Sequence, residues 1–398
     1  MKRVSQKLLA MEYIFHLIET KQKMFATEQN KDVRKASFED LPNEIILKIL
    51  SYVNIKDLFQ CTAVNKRMKA ITYDKTLWKI AHLTGEIPIE LLEKVLKRGC
   101  HYLSLYQCKV TGRNLCFKKN FQLKYFSIQN DSGTYSWETF NNAHKIIASC
   151  HNIEKLSVKP FKYPSVIKWI IQSKKTLRVL NISGCYITME YTQQLIGHCQ
   201  ELVELNINCH NGVPLGPNSV DFLCDNLTTK ITKLDVTKQR NFGDVQLKKL
   251  LNRCKRLTDF AFGFTSVTDE VVDEIISTLS HTLIRIDPSH EISFGRLLDF
   301  ETMPKLKMIR LGWLNVSDRK KKIVKKIMTK LADCNKEIDI GLPYPLDRDQ
   351  QECNPNGFWE IKGRPENFSV AGGTGAGFRF TKISPIKFQR LNRSLFHN

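Results

Sequence analysis

A chain of 398 residues, 42% of them hydrophobic, has enough apolar mass for one large or two moderate cores, which excludes a wholly disordered protein. Its formal net charge of +21, from 61 Lys and Arg against 40 Asp and Glu, points to acidic partners: nucleic acid, phosphorylated protein or another acidic surface. No run of about 18 apolar residues occurs, so no membrane-spanning helix is predicted, and a soluble protein of the cytoplasm or nucleus is expected.

Residues 1–36 form a basic leader in which Val4, Leu8, Met11, Phe15 and Ile18 recur at heptad-like steps. The spacing predicts an amphipathic helix that packs on the following domain or self-associates. Glu12 and Glu19 interrupt the apolar stretch and no small-residue cleavage pattern follows, so a secretory signal is not expected.

Next comes "LPNEIILKILSYVNIKDLFQCTAVNKRMKAITYDKTLW", three short apolar patterns without a suggestive catalytic arrangement. Pro42 suits a first helical turn, Glu44 the positive helix end, and Ile45, Ile46, Ile49 and Leu50 one stripe, predicting a helix near 42–52. After a break at 54–57, Leu58, Cys61, Val64, Met68 and Ile71 recur at three- and four-residue steps and predict a second helix. Asp74 is a cap for a third, over "KTLWKIAHL". Such short helices gain most of their stability from packing, so surplus apolar surface here implies an interface with another protein.

The segment 37–84 resembles an F-box on Leu41-Pro42, Glu44-Ile45, Ile49-Leu50, Asp57-Leu58, the run Val64 to Arg67, and Leu77-Trp78. Met68 stands where the family often has Trp. The resemblance implies binding to the small adaptor that links F-box proteins to a cullin-RING ubiquitin ligase. The contacts it implies are Leu41, Pro42, Ile45, Ile49, Leu50, Leu58, Cys61, Val64 and Trp78.

From residue 100 a frame recurs: apolar, two variable, apolar, one variable, apolar, as in "LRVLNI" and "LVELNI". Its starts are Cys100, Leu123, Ile153, Leu177, Leu202, Ile231, Leu257, Leu283 and Leu306, a spacing close to the 20 to 29 residues of strand-plus-helix repeats. Between the frames helical spacing appears, as at Ile323, Val324, Ile327, Met328 and Leu331 in "DRKKKIVKKIMTKL", whose basic residues then face solvent. Cysteines recur too: Cys108 with Cys185, and Cys150, Cys199 and Cys254, each three residues before a start. With no C-x-x-C pair and no His pair at ligand spacing, the twelve cysteines predict small buried groups, with no metal or other cofactor.

Residues 85–341 thus resemble leucine-rich repeats of the cysteine-containing kind, about nine or ten units. The fold expected is α/β: a small three-helix F-box followed by a curved repeat solenoid, parallel strands concave and helices convex. Alternation along the strands turns the variable frame residues outward. The candidate target contacts are Tyr102, Tyr106, Tyr125, Lys155, Asn181, Asn206, Lys233, Arg285 and Arg310. Lys159 adds a further cation, whereas Glu204, Asp235, Asp259 and Asp287 are interspersed, so an unmodified target is preferred over a phosphorylated one.

Residues 342–398 leave the period and are read as a tail or cap; "GGTGAG" there lacks the Lys-Ser or Lys-Thr of a phosphate loop. An F-box ahead of leucine-rich repeats resembles the substrate receptors of SCF-type ligases, non-catalytic subunits that hold a protein target near the ubiquitin-transfer machinery. A repeat scaffold without degradation, or a basic nucleic-acid-binding protein, are the other readings; no nucleophile–base arrangement supports an enzyme.

Overall fold

The computed structural model describes residues 41–112, 121–130, 137–159, 170, 175–209, 213–289, 291–311, 330–331 and 337–340. The leader 1–36, most of the helix expected around 319–331, and the segment 342–398 lie outside them. Two compact units, 1–53 and 54–398, are taken in turn.

In the first unit, α1 spans Asn43–Leu50. The Pro42 carbonyl accepts from the Ile45 and Ile46 amides, which opens the helix without a side-chain cap. Its stripe divides: Ile46 and Leu50 are buried, while Ile45 stays 48% exposed.

The second unit begins with α2 (Ile55–Cys61) and α3 (Lys66–Thr72) where the sequence predicted one helix. The break comes from capping. Thr62 Oγ1 donates to the Phe59 carbonyl at the end of α2, and the Asn65 side chain accepts from the Met68 amide at 2.7 Å to start α3. Asn54 caps α2 in the same way, accepting from the Asp57 amide at 2.9 Å.

The expected third helix is replaced by two elements. Asp74 does cap, accepting from the Thr76 amide at 2.8 Å, but the turn is a single 3₁₀ stretch, Lys75–Trp78. The chain then enters β1 (Ile80–Pro88), the first strand of a parallel sheet. β2 (Tyr102–Thr111) pairs with it, Ile80 opposite Tyr102, which puts Trp78 level with Cys100. "WKIAHL" is therefore one more copy of the repeat frame, with Trp78, Ala81 and Leu83 at its apolar positions.

The sheet continues through β3 (Tyr125–Gln129), β4 (Lys155–Lys159), β5 (Val179–Asn181), β6 (Glu204–Asn206), β7 (Lys233–Asp235), β8 (Asp259–Ala261), β9 (Arg285–Asp287), β10 (Met308–Leu311) and β11 (Glu337–Ile340). All eleven described strands follow chain order in one open sheet. Connecting helices include α4 (Ile89–Lys97), α5 (Trp137–Ala148), α6 (Met189–His198), α7 (Pro217–Asn226), α8 (Asp244–Arg253) and α9 (Val272–Leu279). α6, α7, α8 and α9 pack successively on one another, so each repeat closes the apolar face of its neighbour. This is the strand-plus-helix α/β solenoid anticipated from the period.

Every frame start from Cys100 to Leu306 is buried. Full burial of a Leu or Ile is worth ~1.5–3 kcal/mol, and the array owes its stability to this row. Two further repeats of detail are explained. Cys108 Sγ donates to the Leu83 carbonyl at 3.0 Å and Cys185 Sγ to the Val158 carbonyl at 3.3 Å, so the coinciding thiols tie each strand's end to the preceding strand. Seven residues after Trp78, Cys100, Leu177, Ile231 and Leu257 the backbone is left-handed, at Gly85, Gln107, Gly184, Lys238 and Phe264. Two glycines meet this geometry without cost; at Gly85 and Gln107 it makes a bulge within the β1–β2 pair, and at Gly184, Lys238 and Phe264 it lies in the turn after the strand.

Candidate functional site

Two surfaces carry the residues singled out from the sequence. On the F-box-like segment, the first unit offers Pro42 and Ile45 exposed, with Leu41 and Ile49 half-buried. In the second unit Val64 is 67% exposed and Cys61 is half-buried. Val64 stands in the α2–α3 turn, where its amide donates to the Cys61 carbonyl, so the turn that breaks the helix also pushes an apolar side chain into solvent.

Three of the expected contacts are corrected. Leu50, Leu58 and Trp78 are buried and show no surface to a partner. Leu50 and Leu58 are the inward positions of amphipathic helices. Trp78 is a core residue of the solenoid: its Nε1 donates to the Thr72 carbonyl at 2.7 Å and the Arg98 guanidinium lies 4.1 Å from its ring. Tyr73, 53% exposed with Arg98 also over its ring, belongs to the surface and was not singled out from the sequence.

The other surface is the polar face of the sheet, made by the strand residues that alternate with the buried leucines. Register aligns them in rows. One row runs Tyr102, Tyr125, Lys155, Val179, Glu204, Lys233, Asp259, Arg285. Tyr102 and Tyr125 stack with ring centres 3.9 Å apart, and His82 meets Tyr102 edge-on at 5.4 Å. Tyr106 lies beside Gln129, and Lys159 follows in the same row. Further along, Glu204 pairs with Lys233 at 3.1 Å and Asp259 with Arg285 at 2.8 Å, a ladder of alternating charges.

The next row is deeper, and this corrects a second expectation. Asn181 and Asn206, read as target contacts, are only 6% and 5% exposed. Asn181 Oδ1 accepts from the Ser183 amide at 3.1 Å and Asn206 Oδ1 from the Asn208 amide at 2.9 Å. Asp235 and Asp287 repeat the arrangement on the Thr237 and Ser289 amides. These side chains hold the turn after the strand, as Asx residues do. Burial raises the Asp235 carboxyl above its ordinary value. It pushes Asp287 up to about 7, with Asp235 adding repulsion and Arg310 opposing the shift.

Five of the described cysteines are held as unreactive core groups. Burial pushes Cys100, Cys108, Cys150, Cys224 and Cys254 up to about 12, so each stays a neutral thiol. Among the described residues no group of three or more His, Cys, Asp or Glu is placed to hold a metal ion, and no helix is long and apolar enough to cross a membrane.

A family profile described as F-box-like matches residues 38–84. An F-box-like domain is therefore present, confined to that segment of the chain. Among solved structures the chain is similar to one described as the crystal structure of the Rad7 and Elc1 complex in yeast, at 14% identity and a TM-score of 0.39, over 83% of this chain and 92% of that one.

Proposed function

We propose that this chain is a substrate receptor of an SCF-type cullin-RING ubiquitin ligase, acting in the cytoplasm or nucleus. The observation that carries the reading is the F-box-like match over residues 38–84, with the apolar side chains of Ile45 and Val64 left exposed. A large aliphatic group kept in water at such a position gains by docking on a partner. In this reading Leu41, Pro42, Ile45, Ile49, Cys61 and Val64 contact the ligase adaptor. The solenoid, read as leucine-rich repeats, holds a protein target on its polar face.

The receptor then acts by proximity. It brings the target's lysines to the ubiquitin-transfer site of other subunits, raising their effective concentration without bond-making of its own. The test is affinity purification of the intact chain beside an Ile45→Asp, Val64→Asp double variant. Both positions are solvent-exposed, so the fold is expected to survive. Recovery of adaptor and cullin with the intact chain and their loss from the variant supports the reading. Failure of the intact chain to recover them sinks it.

A further inference from the structure

We propose that the edge of the solenoid at which the parallel strands begin is a binding site for double-stranded DNA, held through its phosphates. It uses none of the residues assigned above to adaptor or target, so it goes beyond the receptor reading and does not depend on it. Its basis is a row of residues that the repeat itself lays down. From Lys79 to Lys307, the residue after each frame start donates its amide to the carbonyl of the equivalent residue one repeat earlier, as Arg178 does to Glu154 and Lys307 to Ile284. The edge is one continuous backbone ladder, with steps ~4.8 Å apart.

Positive charge collects on this ladder. From two residues before each frame start to one after it, over the starts Trp78 to Leu306, the chain has ten Lys and Arg against two carboxylates. Both carboxylates are answered within the row: Glu154 pairs with Lys124 at 3.0 Å and Glu201 with Lys230 at 2.5 Å. Arg98 is taken up by the rings of Tyr73 and Trp78, and Lys79 acts on Asp74. Six cations remain, in three pairs: Lys175 and Arg178 at β5, Lys255 and Arg256 at β8, Lys305 and Lys307 at β10. All six are exposed, and among the described residues none of them makes an ion pair.

The chemistry of the row selects its partner. Protein interfaces are anchored by aromatic and apolar side chains, and none of the large apolar residues exposed among the described residues lies in the row. Cations without such anchors gain most from a polyanion, by releasing the counterions condensed on it. Single strands are held largely by stacking on aromatic rings, so the same lack favours a duplex. Spacing favours the B form. The three pairs stand three and two strands apart, roughly 14 and 10 Å, on the scale of the ~12 Å major groove of DNA, whereas the major groove of an RNA duplex is narrow.

The experiment is fluorescence anisotropy of the full chain with a short fluorescein-labelled DNA duplex of mixed sequence, repeated at several salt concentrations. No adaptor is present, so this result and that of the adaptor capture above stand independently. The Arg178→Gln, Arg256→Gln, Lys307→Gln variant removes one cation from each pair. It is expected to weaken binding by about tenfold or more and to reduce the slope of log affinity against log salt by about 2 to 3. The control variant Lys66→Gln, Lys69→Gln, Lys248→Gln removes the same charge from exposed positions on α3 and α8, and is expected to change affinity less than about threefold. Thermal melts identify any variant that has lost its fold. The single Arg256→Gln variant, expected to reduce the slope by about 1, then carries the comparison.

Absence of duplex binding overturns the proposal. So does an equal loss in edge and control variants, which would be diffuse attraction by a basic chain. Tighter binding of the matching RNA duplex, of oligo(dT) or of a polyglutamate peptide overturns it in favour of RNA, single strands or an acidic protein.

Discussion

Trp78 donates its indole hydrogen to the Thr72 carbonyl at 2.7 Å, and the same ring is the first side chain in the row that fills the solenoid. The end of the F-box-like segment and the start of the repeats thus share one residue. Lys56 Nζ reinforces the junction by donating to the Glu86 carbonyl at 3.0 Å, and Arg98 by donating to the Thr72 carbonyl at 3.3 Å. α2 and α3 accordingly serve as the cap that an open repeat array needs at its end. Trp78→Ala is expected to cost ~3–5 kcal/mol, from a cavity the size of an indole and a lost hydrogen bond. Urea denaturation measures it, and a change below ~1 kcal/mol would show that the ring is not part of the core.

Asn206 is predicted to matter for stability and not for target binding. Replacement by Ala removes the acceptor for the Asn208 amide and is expected to cost ~0.5–1.5 kcal/mol. The same substitution at Asn181 frees the Ser183 amide and should behave alike. Chemical denaturation reads the loss.

These asparagines show where reading the sequence succeeds and where it stops. Alternation along a strand places Asn206 on the polar face correctly, because a two-residue period is built into strand geometry. It says nothing of depth: Asn206 bonds the Asn208 amide of the following turn and is 5% exposed, which no two-residue period announces. The frame starts from Cys100 onward were legible because burial demands an apolar residue at each. Trp78, Ala81 and Leu83 obey the same frame, yet the small Ala81 weakens it, and the match of Leu77-Trp78 to an F-box ending hid it. The α2–α3 break was hidden for another reason: Cys61, Val64 and Met68 keep helical spacing across it, and only Asn65, a good cap, marks the interruption.

Thiol labelling provides a test of the repeat core. At pH 8 a thiol with its pKa near 12 is ionised in only about one molecule in 10⁴, and burial denies the reagent access. Brief treatment of the native protein with iodoacetamide should therefore leave Cys100, Cys108, Cys150, Cys224 and Cys254 unmodified in peptide mass spectra. Cys61 and Cys185, which are half-buried, should react ahead of them, and denaturant should make all reactive. Early modification of Cys254 would contradict its burial at the end of α8.

Asp287 makes stability depend on pH in a direction opposite to that of an ordinary paired carboxylate. Its folded value, about 7, lies above the unfolded value of about 3.8. Between those limits the folded protein holds a proton that the unfolded chain has released, so stability falls as pH rises through the window and is lowest above pH 7. Asn at this position keeps an oxygen to accept from the Ser289 amide and carries no charge to desolvate. Because the residue keeps an edge to solvent, Asp287→Asn is expected to stabilise by ~1–3 kcal/mol at pH 8. The advantage should shrink steadily toward pH 4, where the wild-type carboxyl is protonated in the folded state. Thermal or urea unfolding of both proteins across that range measures it. If the Asn variant were less stable at pH 8, attraction between the ionised carboxylate and Arg310 would outweigh the cost of burial.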